Sequence, residues 1–507
     1  MNHSELATAP MPPRRRLTLR HRGLHPSISR PSLVTFGIAC AVAVVGMGVT
    51  VVSPALLIAG MIGIGLAAVV AVVPQFGAYL LIGLTPLLAG IDRGSIIPVL
   101  RPNEALDLLI GAGLVAGGLF RMRGRELPRV KLGTTDRTIL LLAVTSSILP
   151  LMLMQLRHRT IESDDILYSL MVWKYYGIYL IAKVSIRSDD QLRKCLWISM
   201  ITASVVAMIA VLQSLHFGAV TSVLSKYYVS YGATASVSNS RGGSTLGLPI
   251  AVADLMLLNL AIAVGLMVRN TRHKAAIGGM SALFLIGALS AGEFSGAIGV
   301  LLGLFVLAVL TRRLRQMAAF LPALLVGAIA LRPVIETRLS GFDSVSGLPV
   351  SWTGRWLNLT TYFWPTLFSH GNYILGIRPA ARVSALHLAT GYVWIESGYT
   401  WLLWAGGIPL LGAFLYFTWK NLKLTVPLAR AAENATGVAA LAVATALCVD
   451  GVLMILDPHL TYRGSADLLF VLLGLVVAGA RWTAPPESPA GGPAGGADLV
   501  GERRVVA

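Results

Sequence analysis

Charge is scarce in this chain. Of 507 residues only 13% are Asp, Glu, Lys or Arg, and acids are the rarer part, 23 against 41 bases. A soluble domain of that length carries far more polar surface, so a soluble enzyme or binding module is excluded. Cysteine is rarer still. Cys40, Cys195 and Cys448 each lie in or beside an apolar run and form no CxxC pair. That argues against zinc and against a disulfide framework. The net charge of +18 is spread over short loops. With no compact basic module to concentrate it, nucleic acid is not an expected partner.

Apolar sequence fills the place of charge: 55% of residues are hydrophobic and the mean hydropathy is +0.73. Runs of roughly 20 apolar residues recur along the chain, the length of a membrane-spanning helix. The expected fold class is therefore an all-α polytopic integral membrane protein with about 12–14 transmembrane helices. Expected spans fall at 33–52, 54–73, 76–90, 103–120, 138–156, 169–185 and 195–215, then at 249–268, 276–292, 295–310 and 317–331, and finally at 396–418, 436–456 and 465–480. Basic loops such as RMRGRELPRVKLGTTDR, RSDDQLRK, RNTRHK and TRRLR recur on every second connection. This is the positive-inside pattern, and it places both termini in the cytoplasm.

The resulting organisation is a basic cytoplasmic tail (1–30) and a transmembrane bundle (31–331), followed by an extracytoplasmic loop with an interfacial helix (332–395). C-terminal transmembrane helices (396–480) and a Pro-, Gly- and Ala-rich disordered cytoplasmic tail (481–507) complete it.

The stretch 350–412 is too polar to span a bilayer and too rich in Trp and Tyr for a plain solvated linker. Trp352, Trp356 and Leu359 recur at helical spacing with Phe363 one turn on, which predicts a helix lying on the outer surface. Ser351 or Thr353 can cap it, and Pro365 would end or bend it. Gly371, Gly376 and Gly391 mark turns.

Topology brings Arg241, Glu293 and this stretch, with Arg355, Arg378, Arg382, His387 and Glu396, to one outer face. Charged groups at membrane depth are costly and usually pair or serve a site. Elsewhere, Asn103 is a candidate helix cap, with Glu104 and Asp107 in or near the first turn. Lys174 could pair with Glu104 or Asp107, or reach a lipid phosphate. Asp254 and Asp450 read as hydrogen-bonded structural groups. The outer loops offer no DxD-like acidic pair, so neither a metal nor another cofactor is expected.

The order of these elements resembles the bacterial O-antigen ligase and O-antigen polymerase family of polytopic glycosyltransferases, whose fold is GT-C-like. The resemblance runs from about Arg101 to Gly412 and is carried by RPNEALDLL, the KYYGIYLIAKVSIRSDDQLRKCLWISMITASVVAMIAVLQ pair ending in Gln213, RGGSTLGLP, TGRWLNL followed by LGIRP, and ESGYTWLLWAGGIPLLG. Two departures stand out: Glu293 lies where many members carry Ser-Arg-Gly, and Glu396-Ser397 lies where many carry His-Asn.

The resemblance implies transfer of a glycan from a polyprenyl-diphosphate-linked oligosaccharide donor to a glycan or lipid acceptor, at the outer face of the cytoplasmic membrane. It gives Arg241 and Arg355 the donor diphosphate. A base is needed at the acceptor hydroxyl, with Glu396 the first candidate and His387 the second. Glu293, Lys174, Arg378 and Arg382 are secondary candidates. The lipid bilayer surrounds such an enzyme, and a flippase or chain-length regulator would be its partners. The competing expectation is a transporter or flippase of a lipid-linked glycan.

Overall fold

The computed structural model describes residues 54–93, 100–122, 132–228, 241–269, 273–342, 347–385 and 391–483. The expected span at 33–52, the N-terminal tail, residues 484–507 of the C-terminal tail and His387 lie outside them, while residues 481–483 of the expected tail are helical.

Every expected span from residue 54 onward falls on a helix or a broken pair of helices. The first group is α1 (Pro54–Val72), α2 (Gln75–Leu88), α3 (Pro102–Met122), α4 (Thr134–Ser146), α5 (Ile148–Leu156), α6 (Ser163–Ser185) and α7 (Asp189–Ser214). A short α8 (Gly218–Tyr227) precedes α9 (Pro249–Val268), α10 (Lys274–Ser290) and α11 (Phe294–Thr311). Three short helices follow, α12 (Leu314–Ala318), α13 (Leu321–Ala330) and α14 (Arg332–Leu339). The surface stretch holds α15 (Val350–Asn358), α16 (Trp364–Phe368) and α17 (Asn372–Leu375) with the hairpin β1 (Arg382–Ser384) and β2 (Tyr392–Trp394). The chain closes with α18 (Gly398–Ala431), α19 (Ala435–Leu453) and α20 (Ser465–Thr483).

Among the described residues eight helices are long and apolar enough to cross a membrane, or up to nine if the bent pair 314–339 is one span. Residues 60–72, 75–88 and 274–290 are shorter apolar helices. The protein is an all-α multi-pass membrane protein.

Helix α9 is the axis of the bundle. Its side chains are buried from Ile250 to Leu266, and it packs against α7, α10, α11 and α19. A helix apolar all round is stable only when wrapped by other helices or lipid. The expected span 138–156 is broken at Ser147, whose backbone is non-helical. Its hydroxyl is held by Trp173 Nε1 at 2.9 Å.

Polar contacts gather at the two ends. One end holds Lys183 on Asp136 at 2.6 Å and Arg269 on the carbonyls of Ala429 and Ala432. The described outer-loop candidates, Arg241, Glu293, Arg355, Arg378, Arg382 and Glu396, lie at the other end.

The surface helix forms, but with different ends. Pro349 occupies the cap position with no side-chain bond, and Thr353 Oγ1 donates to the Val350 carbonyl instead of capping. Pro365 does not stop the helix. A π-turn over Leu359–Phe363 carries the chain into α16. The wider turn absorbs the proline's missing N–H. Leu359, Phe363 and Leu367, four residues apart, are buried, while Val350, Trp356, Leu357 and Phe368 present an exposed apolar face. Such a face suits the bilayer interface.

The three turn glycines all have positive φ: Gly371, Gly376 and Gly391. At Gly376 a side chain is also sterically impossible, since a Cβ would sit 2.9 Å from the Gly406 nitrogen. The contact exists because α18 is broken at Gly407 (φ 65°, ψ −157°). The break frees the Trp404 carbonyl, which accepts from Ile377 N–H at 2.7 Å.

Candidate functional site

Arg241 starts a loop that is locked down at several points. Gly242 N–H donates to the Ser290 carbonyl, Ser244 N–H to Gln213 Oε1 at 2.8 Å, and Thr245 Oγ1 to the Pro86 carbonyl. A Cβ at Gly242 would lie 2.8 Å from the Ala210 carbonyl oxygen, so glycine is required by the close approach. Glu293 sits in the turn between α10 and α11 and forms an ion pair with Arg241. Its other oxygen faces Arg338 of α14 at 3.5 Å. Arg338 stacks on the Phe294 ring, 5.0 Å from its centroid.

Arg355 completes the set from the surface helix. Its Nη1 lies 2.7 Å from Asp457 Oδ2 and its Nε lies 3.8 Å from Glu396 Oε1. Asp457 also accepts from the Tyr462 hydroxyl at 3.3 Å. The two halves are electrostatically one site. Burial, with Arg338 and Arg355 adding to it, pushes the Arg241 guanidinium down to about 10. Burial likewise raises the Glu396 carboxyl above its usual range. Arg355 and a hydrogen bond from Asn358 oppose that, and Asp457 reinforces it. Burial holds Asp457 high as well, against the pull of Arg355 and His459.

Four expected residues, Arg241, Glu293, Arg355 and Glu396, thus meet. Two that sequence reasoning missed join them, Arg338 and Asp457. Asp457 was visible as the acid of LDPHLTY, a polar turn in a very apolar hairpin. Arg338 follows an expected span and looked like any flanking base.

His459 lies behind Asp457, its Nδ1 within 2.9 Å of Asp254 Oδ2. The two flanking acids Asp254 and Asp450 raise its pKa against the opposing effect of burial, with Asp457 adding to them. Glu396 is not a first-turn acid of α18. Ser397 is the cap, accepting from Thr400 N–H, so helix capping does not account for Glu396.

Arg378 and Arg382 fall outside the cluster. Arg378 grips Asp165 through Nε at 2.9 Å and Nη2 at 2.6 Å, with Glu162 3.0 Å away. Arg382 pairs with Asp164 and lies over the Tyr392 ring at 4.2 Å. Together they fasten the 376–394 stretch to the start of α6. Lys174 does not pair with Glu104, and its charge is felt by Asp107 without a direct ion pair. It lies 2.7 Å from Asp467 Oδ1 of α20, while Glu104 is held by Arg93 at 2.7 Å.

The cluster offers three guanidiniums against three carboxylates. The Nε atoms of Arg241 and Arg338 are buried and without an acceptor, and buried donors are rarely left so. Planar forks on a half-dehydrated site are suited to bidentate capture of phosphate oxygens. No protein-family model, curated protein or solved structure matches the chain.

Proposed function

We propose that this protein is a membrane glycosyltransferase that takes a glycan from a polyprenyl diphosphate at the outer face of the cytoplasmic membrane. The glycan goes either to another repeat unit or to a lipid acceptor hydroxyl. The observation that carries the reading is the convergence of Arg241, Arg338 and Arg355 beneath an aromatic surface helix. The sequence likeness to O-antigen ligases and polymerases, with its GT-C-like arrangement, points the same way.

Displacement at the anomeric carbon breaks its bond to the diphosphate oxygen, and negative charge grows on that leaving group. Fixed guanidiniums stabilise the growing charge without reorganising, which is the most effective electrostatic help an enzyme can give. The diphosphate oxygens compete with Glu293 and Asp457 for the same donors. Glu396, half-buried and 3.8 Å from Arg355, is placed to take the proton of the acceptor hydroxyl. The polyprenyl chain lies along the apolar faces of α15 and α16.

The test is transfer by the purified protein from a polyprenyl-diphosphate oligosaccharide. Arg241→Lys keeps charge and loses the fork, so the rate is expected to fall steeply at unchanged expression. Near-parental transfer from both Arg241→Lys and Arg355→Lys would refute the assignment. A deletion strain separates the two outcomes of the chemistry: single lipid-linked repeats mark a polymerase, and long unattached lipid-linked polymer marks a ligase.

A further inference from the structure

The buried polar group nearest the start of α3 is not explained by the arginine cluster. Asn103 has no exposed surface, and both its amide atoms lack a hydrogen-bond partner. Asp107, one helical turn further on, is 8% exposed, and both its carboxylate oxygens lack a partner too. Residues four apart share a helix face, so the two side chains are neighbours. Neither acts as a cap: Glu104 Oε2 takes the Arg101 N–H instead.

Asp107 feels the charges of Asp467, Lys174 and Glu104. Glu104 is already neutralised by Arg93 and faced by Arg101. Lys174 is committed to Asp467 and lies over the Tyr175 ring. The described part of α1 carries no titratable side chain, and α2 contributes only Tyr79, which feels Cys195. One ammonium therefore serves two buried carboxylates, Asp467 and Asp107. An ionised carboxylate left dry and unpartnered is among the costliest arrangements in a protein interior. A small cavity lined by Thr85, Gly464 and Asp467 lies alongside, and the Thr85 hydroxyl is also without a partner.

The missing positive charge can be a proton or a metal ion. Among the described residues no group of three or more His, Cys, Asp or Glu side chains could hold a metal ion. A proton satisfies the geometry directly. It turns one Asp107 oxygen into a donor and gives the stranded Asn103 amide a partner.

We propose that Asp107, with Asn103 beside it and the Lys174–Asp467 pair facing it, is a proton-binding site in the membrane part of the protein. The assignment is independent of the transferase reading. Ionisable groups placed this way recur in proton relays of pumps and transporters. The site lies at the same end of the bundle as the arginine cluster, joined to it by the connection from Asp457 to Asp467.

Infrared difference spectroscopy of the full-length protein in lipid nanodiscs tests the assignment. The wild-type protein at pH 7 should show the C=O stretch of a protonated carboxyl group, shifted in D2O. That band should be absent from Asp107→Asn, whose amide is the neutral isostere, and retained in Asp467→Asn. Asn103→Ala should keep the band and move its frequency, which holds the assignment to account even if Asp107→Asn fails to fold. A wild-type minus Asp107→Asn spectrum without a carboxyl band overturns the assignment. So does a band that appears only when sodium is withdrawn, because a metal ion would then be the occupant.

Discussion

Removing Arg355 separates its structural part from its chemical one. In Arg355→Ala, Asp457 keeps the Tyr462 hydroxyl at 3.3 Å and the neighbouring charge of His459, with its carboxylate 4% exposed. Stranding one partner of a buried pair costs about 3–5 kcal/mol. Protonation of Asp457 sets a ceiling on that cost. From its ordinary pKa of 3.8 to an assay at pH 7 is 3.2 units, at about 1.4 kcal/mol each, so the ceiling is about 4 kcal/mol.

The sign follows from linkage. Without Arg355 the folded-state pKa of Asp457 stands further above its unfolded value. The penalty is then fully present above that raised pKa and vanishes as the pH falls below the ordinary carboxylate value. At pH 5 the ceiling drops to about 1.6 kcal/mol. Chemical denaturation in detergent at the two pH values reads this difference. Adding Asp457→Asn removes the stranded charge and should recover most of the stability. It should not recover glycan transfer, because the guanidinium facing the donor is still missing. Parental transfer by the Arg355→Ala/Asp457→Asn double variant would show that Arg355 is only a strut.

Four further outcomes are expected. Glu396→Gln should lower transfer by ~10²-fold or more, with an unchanged melting profile because Ser397, not Glu396, caps α18. Since burial raises Glu396 and Asp457 adds to it while Arg355 opposes, the acid limb of the rate profile should lie above pH 4.5. The limb should move down in Asp457→Asn, and a limb that stays put in that variant counts against Glu396 as the base. Arg378→Ala should cost about 3 kcal/mol by leaving the fully buried Asp165 without a cation, held only by the Glu162 and Ala380 N–H groups; equal stability of variant and parent in a denaturation series would remove the fastener role. In a background without Cys40, Cys195 and Cys448, an impermeant thiol reagent on intact cells should label Ser340→Cys and not Thr134→Cys, and the reverse pattern would invert the topology.

The helical bundle was legible because a bilayer imposes one strong rule: every backbone polar group must be satisfied within the span. Apolar run length therefore located the helices from residue 54 onward, and polar outliers marked the end where Arg241, Glu293, Arg355 and Glu396 meet. What was hidden depended on distance in sequence. Lys174 and Asp467 are far apart along the chain, and no periodicity announces that α6 and α20 are neighbours. The same holds for Arg378 with Asp165. Arg338 looked like an ordinary interfacial base, and only the fold of α14 over the turn at Glu293 gives it a partner. Of the two outcomes expected at Pro365, an end and a bend, the end does not occur, since a π-turn can absorb the lost donor and its sequence signal is weak.

The break at Gly407 has a mechanical consequence. The outer arm of α18 is not continuous with its inner half, and the carbonyl freed at Trp404 is bonded to the surface stretch through Ile377. The outer arm and the surface stretch are therefore fastened to each other on the Glu396 side of Gly407. Glu396 is thus held by the outer arm and its strap, while Arg241 is held by the bonds of its own loop to Ser290, Gln213 and Pro86, so the two sides of the site rest on separate parts of the bundle.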